Sequence, residues 1–407
     1  MIYTLPRLLF EGGPNLTLPL QNIKVLDFSH LLPGELCSTI LADLGCEVTR
    51  IESLQPGLAQ KLPPIVKGES LYYWAIHRNK KRIGLDLKKD EAKEIVYKLV
   101  EQADIVVENF RPGVMSRLGV GYGKLHSINK GLIYCSISGY GHNSEFSQRP
   151  GHDLNLVAES GVLAHMAQED DRPIVSSILV SDHTSALYGA LSIVAALNER
   201  NRTGKGRHID IGMFHSALST LSILTTGLLY TGQEASEGTS VYRAQLANYN
   251  VYKCKDDRYL VVASLEPQFW RTFCERVERP DLIPKLPVGP SPEMKRVIAD
   301  IINKKTLAEW NVIFEDSNCC VSPVNTLAEA LEFVPARERE MVVGVQHPTL
   351  GSIPQLRSPV DFPVPKTFDA PPNPPEGTPL VLKELGYSDA DIERLAAGNV
   401  IPQLVRA

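Results

Sequence analysis

The chain has 407 residues, 43% hydrophobic and 22% charged, with a formal net charge of −5. That length exceeds one simple core, so two domains are expected, and the composition is that of a soluble globular protein. The mild acidity gives no reason to expect nucleic acid as a partner, though a local basic patch for a phosphorylated ligand stays open.

Seven cysteines (Cys37, Cys46, Cys135, Cys254, Cys274, Cys319, Cys320) are odd in number and scattered. A disulfide framework is not expected, and a reducing cytoplasm fits best. Cys319 and Cys320 are adjacent and no Cys-x-x-Cys spacing exists, so no metal site is expected. Residues 1–20 lack the basic cap, continuous apolar core and cleavage site of a signal peptide, and read as an ordered or fraying extension. No apolar run approaches the roughly 18 residues of a membrane span, so no membrane partner is expected.

In chain order, "IKVLDFS" (23–29) predicts a short buried strand and "GELCSTILADLG" (34–45) a helix that stops at Gly45. "EVTRIE" (47–52) and "KRIGLDLK" (81–88) predict strands, and "KDEAKEIVYKLVEQA" (89–103) an amphipathic helix. "DIVVENF" (104–110) and "GLIYCSISGYG" (131–141) are further strands. This alternation argues for an α/β fold with a largely parallel sheet. Ligands of such sheets sit at the carboxyl ends of strands, which points to "ENFRPG" and "SISGYG".

Asp182 is expected to open a long helix (182–201), followed by the turn "RTGKG" and the strand-like "RHIDIGM". The pattern loosens from about Thr220. Residues 242–265 read as antiparallel strands about an Asp256-Asp257 turn, leading into a helix with Pro267 in its first turn. Residues 290–335 read as mostly helical. The Pro-rich "PVPKTFDAPPNPPEGTP" reads as an extended strap before a final helical stretch.

Four polar residues stand where chemistry is possible. "RPGHDLNL" sets His152 and Asp153 after a Pro-Gly turn, Asp182 begins its helix, and Glu266 precedes "PQF". Each has a plain structural alternative. Asp182 and Glu266 could be helix caps, and His152 could be a satisfied core histidine.

Taken together, "VLDFSHLLPGELCSTILADLGCEVTRIE", "ENFRPGVMSRLGVGYGKL", "LIYCSISGYG", "GHDLNLVAESGVL", "ALNERNRTGKGRHIDIGM", "YLVVASLEPQFW" and "LKELGYSDADIERL" resemble the family III CoA-transferases and α-methylacyl-CoA racemases. The likeness runs from about residue 22 to 400. It implies a large Rossmann-like domain (1–225, with 336–407 returning to it) and a smaller inserted α+β domain (226–335). It further implies an interlocked, ring-like homodimer acting on an acyl-CoA substrate, with no other cofactor. Motif matching places Lys88, Asn109, Arg111 and Arg117 at CoA-holding positions, where cationic side chains suit the phosphates. Ser53 stands where the family often has a basic residue.

The resemblance assigns proton transfer to His152, Asp182 and Glu266, with Asp153 in support. Inverting a carbon beside a thioester needs a base on one face and an acid on the other. Histidines titrate near neutrality, and a carboxyl can serve opposite one if its surroundings raise its pKa. Backbone N–H groups at the start of the Asp182 helix could hold the enolate oxygen. In the CoA-transferases the position of Asp182 supplies a nucleophile instead. His152, Glu266 and the Leu32-Pro33-Gly34 run look racemase-like. Leu156, in place of a tyrosine, and "ANYNVYKCKDD", without a preceding Gly-Gly, depart from the racemases. The expected reaction is therefore inversion of a 2-methyl-branched acyl-CoA. CoA transfer through an aspartyl-CoA thioester at Asp182, between two acids or between two carboxylates of one acid, is the alternative, and a non-catalytic acyl-CoA-binding protein a minor one.

Overall fold

The computed structural model describes residues 18–166, 172–234, 246–360, 362 and 367–404. Of the expected extension at residues 1–20, residues 1–17 lie outside them. Two compact units emerge. One holds the described residues up to Leu156, Leu179–Ser216 and those from Glu340 onward; the other holds Val157–Ile178 and Ala217–Arg339. These limits differ from the expected boundaries, since 157–178, 217–225 and 336–339 group with the second unit. The expected boundary followed the loosened pattern after Thr220, but the packing already changes within the unbroken helix Met213–Ser219.

The first unit is α/β. Its strands are β1 (Lys24–Asp27), β2 (Glu47–Glu52), β3 (Lys80–Gly84), β4 (Ile105–Glu108), β5 (Ile133–Ser138) and β6 (His208–Gly212). They form one six-stranded sheet in the order β3-β2-β1-β4-β5-β6, and every pairing is parallel. A parallel sheet is covered on both faces, so its inner strands read as nearly continuous apolar runs. β5 is buried at all six positions.

Alternate residues feed two cores. Leu26, Val106 and Tyr134 join α2 (Asp90–Gln102) and the C-terminal helices. Val25, Val107 and Cys135 join α1 (Leu32–Asp43) and α4 (Val180–Thr203). In sequence, α3 (Asp153–Glu159) falls between α2 and α4.

α4 starts two residues earlier than expected. The Pro-rich strap is in part helical: Thr367–Asp369 is a strand, but a helix runs Pro374–Glu384. Asn373 and Glu376 form a capping box there, and Pro374 occupies the first turn, where a missing N–H costs nothing. Residues 363–366 of that stretch lie outside the described residues.

In the second unit, β7 (Tyr249–Lys253), β8 (Tyr259–Ala263) and β9 (Val321–Pro323) make an antiparallel sheet with β8 central. The Asp256-Asp257 turn joins β7 to β8, with Asp257 at φ 62°. Trp270, Phe273, Trp310 and Phe314 fill the core, the first two from α5 (Pro267–Arg276). Among the described residues no helix is long and apolar enough to cross a membrane.

Candidate active site

The chain leaves β1 for β2 on one side and later returns to β4 on the other. That reversal is the topological switch point, where ligands of parallel sheets bind. An open cleft lies across the carboxyl ends of β1, β4, β5 and β6, and His30, Asn109, Arg111, Arg149, His152, Asp153 and Asp182 are among its lining residues.

The β1–α1 turn forms one wall, and several bonds fix it. Asp27 Oδ1 accepts from the Ser29 N–H at 2.9 Å and from the Ser29 hydroxyl. His30 N–H donates to Asn109 Oδ1 at 2.6 Å, and Asn109 Nδ2 donates back to the His30 carbonyl. Leu31 then takes φ 64°, ψ −179°, a region nearly confined to glycine. Such strain persists only where surrounding contacts over-determine it, as they do here. Gly34 permits the close approach that follows, since a Cβ there would stand 2.3 Å from Ser29 Cβ.

His152 immediately precedes α3. Its N–H donates to Asn155 Oδ1 at 3.0 Å, and its carbonyl accepts from the Asn155 N–H at 2.9 Å. The residue is exposed and lines the cleft, so it is not a buried core histidine. Leu156, by contrast, is wholly buried in the core and packs against Gly151 and Gly139, outside the cleft lining.

Asp182 is the third residue of α4, not its cap; Leu179 holds the N-cap position without a side-chain bond. Asp153 supplies the missing acceptor. Its Oδ1 receives Ser181 N–H at 2.7 Å, Ser181 Oγ–H at 2.8 Å and Asp182 N–H at 3.2 Å. Two consequences follow. Asp153 bonds to the start of α4 rather than to its neighbour His152. The N–H groups of residues 181 and 182 are committed, so they are not the enolate donors expected from the sequence. Burial, and then the charge of Asp153, push the Asp182 carboxyl up to about 7.

Arg111 lines the cleft, as does Asn109, which spends a donor and an acceptor on the His30 backbone. Lys88 and Arg117 are exposed and lie outside this lining. Glu266 belongs to the second unit. It stands at the N-cap of α5, yet its side chain makes no capping bond.

Sequence reading passed over His30 and Tyr72. His30 follows a predicted strand's carboxyl end, which was a usable signal. Its ring sits edge-on to Phe110 at 4.8 Å, and burial, then Arg50, hold its pKa down. Tyr72 had no local signal. Burial, then the charges of Glu35 and Asp182, push its hydroxyl up to about 12.

The family model for CoA-transferase family III matches residues 20–378. Human succinyl-CoA:glutarate CoA-transferase is 31% identical over 399 residues, covering 95% of this chain and 90% of the relative. Mouse alpha-methylacyl-CoA racemase is 32% identical over 387 residues, covering 94% and 97%. A CAIB/BAIF family protein from Brucella suis superposes with a TM-score of 0.78 at 25% identity, covering 90% of this chain and 99% of that one. The chain belongs to CoA-transferase family III. It is an enzyme of that superfamily, an acyl-CoA racemase or a CoA-transferase.

Proposed function

We propose that the protein is a racemase or epimerase that inverts the α-carbon of a 2-methyl-branched acyl-CoA. The observation that carries this reading is the pairing of His152 with Asp182 in one cleft, with the Asp182 carboxyl raised to about 7. A carboxyl near that value holds its proton for much of the time at neutral pH and can give it up without a large barrier. In the forward direction His152 takes the α-proton, and the C–H electron pair passes into the enolate. Asp182 then delivers its proton to the opposite face. Exchange with water returns His152 and Asp182 to their starting states. In the reverse direction the two exchange roles. Glu266 serves as a third acid–base group. Lys88, Asn109, Arg111 and Arg117 hold the CoA, which is substrate, and the reaction uses no further cofactor.

A second reading keeps the same carboxylate. In CoA transfer the ionised Asp182 would attack the thioester carbonyl and expel CoA as thiolate. The similarity to a CoA-transferase over nearly the whole chain favours it.

A homodimer, interlocked as the resemblance implies, accompanies either reading. α4 supports it by presenting an outward apolar stripe, with Leu187 58% and Leu191 63% exposed beside Tyr188 and Val194.

The test is incubation of a chiral 2-methylacyl-CoA with the enzyme in deuterated water. Racemisation with deuterium at the α-carbon is expected. His152→Ala should lower it by about 10²–10⁴-fold while CoA binding persists. No exchange, with efficient CoA transfer to a free acid instead, overturns the racemase reading. A hydroxamate on Asp182 after acyl-CoA and hydroxylamine treatment would establish the transferase.

A further inference from the structure

An aspartate in the first turn of a helix ordinarily has its charge favoured by the free N–H groups and the helix dipole. Asp182 is placed to benefit and does not. Among the described residues its carboxyl accepts no hydrogen bond, while the N–H groups of residues 181 and 182 both point to Asp153 Oδ1. The third bond to that oxygen comes from the Ser181 hydroxyl. This lock is buried, with Ser181 at 0% and Asp153 at 9% exposure. Asp153 lies 28 residues before Ser181 in sequence, so the cap is brought to α4 by another helix.

We propose that Ser181 is a positioning residue. By locking Asp153 onto the start of α4, it excludes Asp182 from the capping role and keeps it as the proton-carrying carboxyl of the cleft. Asp153 takes the stabilisation that the helix start offers and sets a negative charge beside Asp182. The second ionisation is then opposed, as in any close pair of carboxylates. The upward displacement of Asp182 to about 7, with Asp153 as a named cause, agrees with this geometry. The inference rests on the acid–base reading of Asp182.

The test reads protonation directly. Protein labelled with ¹³C at aspartate carboxyls is titrated by NMR, and the Asp182 resonance is identified by its loss in Asp182→Asn. The wild-type midpoint should lie near 7. Asp153→Asn keeps an acceptor oxygen but removes the charge, and should lower the midpoint by about one pH unit or more. Ser181→Ala keeps both N–H bonds and loses only the hydroxyl, and should lower it by less. Ser181→Thr should restore it. A cap with only a structural role would change stability and leave the midpoint in place. A wild-type midpoint near 4 overturns the proposal, as does an unmoved midpoint in folded Ser181→Ala. Should Asp153→Asn fail to fold, the Ser181 pair carries the test. A midpoint near 7 that falls in the variants, with no α-deuterium exchange, would remove the racemase reading and uphold the lock. Exchange with a midpoint near 4 would do the reverse.

Discussion

Two groups of buried charge lie on either side of the β1–α1 turn, and they have opposite chemistry. Under β1, β2 and β3, Asp27, Glu35 and Glu52 meet Arg50, Lys80 and Arg82. Arg50 lies 2.6 Å from Glu35 and 3.1 Å from Glu52, Arg82 2.9 Å from Glu52, and Lys80 3.4 Å from Asp27. Burial would push Glu52 up, but Arg82, Arg50 and the Tyr73 hydroxyl outweigh it and bring the carboxyl down to about 2. Asp27 is likewise held low against its burial by Lys80 and Arg50. Across the turn, among the described residues, no cation pairs with Asp182; burial and another carboxylate push it up to about 7. Burial alone therefore does not make a carboxyl reactive. The partner decides: the cations beside Asp27 and Glu52 hold those carboxyls low, while Asp182, with a carboxylate beside it, is pushed up.

The sharpest way to break the comparison is to make the matched cluster resemble the unmatched site. Arg50→Met strips Glu35 and Glu52 of their shared cation, and uncompensated buried charge costs about 3–5 kcal/mol. Urea unfolding at pH 7 should show that loss, carried mainly by Glu35 because Glu52 keeps Arg82. A change below about 1 kcal/mol at pH 7 would mean that the cluster is not a matched set.

The converse change relieves Asp182. In the native protein its pKa is raised, so the folded state binds the extra proton between about pH 4 and 7. Its contribution to stability is present at low pH and is lost as pH rises through 7. Asp182→Asn removes the loss. It should abolish turnover yet stabilise the fold by about 2 kcal/mol at pH 8, less than the full shift implies because the residue is partly exposed. The gain should vanish near pH 4. Calorimetry at the two pH values checks it.

What the sequence could reveal followed the range of each interaction. β1, β2, β4 and β5 were legible because inner parallel strands are apolar runs bounded by turns. His152 and Asp182 were legible as candidates because their motifs lie at the ends of such elements. The capping of α4 was not, because its acceptor is Asp153, 28 residues away, and no local spacing encodes that contact. For the same reason Asp182 was read as the first residue of its helix. The charge cluster was hidden too. Arg50-x-Glu52 and Lys80-x-Arg82 were visible as alternating positions, but the register Arg50↔Arg82 exists only once β2 lies beside β3. The Pro374 helix was obscured by composition, since proline counts against a helix everywhere except its first turn.

The smallest effect concerns an ion pair that shares strand β3 with Lys80. Lys81 alternates to the other side of the strand, where its ammonium lies 2.9 Å from Glu384, with the two side chains 48% and 60% exposed. Its distance is shorter than that of Lys80 to Asp27, so geometry alone would rank it the stronger. Solvation reverses the ranking. Exposed charges keep most of their hydration, are screened by salt and lose side-chain entropy on pairing. Glu384→Gln should therefore change unfolding free energy by less than about 0.5 kcal/mol, and the difference should fade as salt is raised toward 1 M. A loss above about 1 kcal/mol that persists in salt would show that contact distance, rather than the environment of the charge, ranks the ion pairs of this strand.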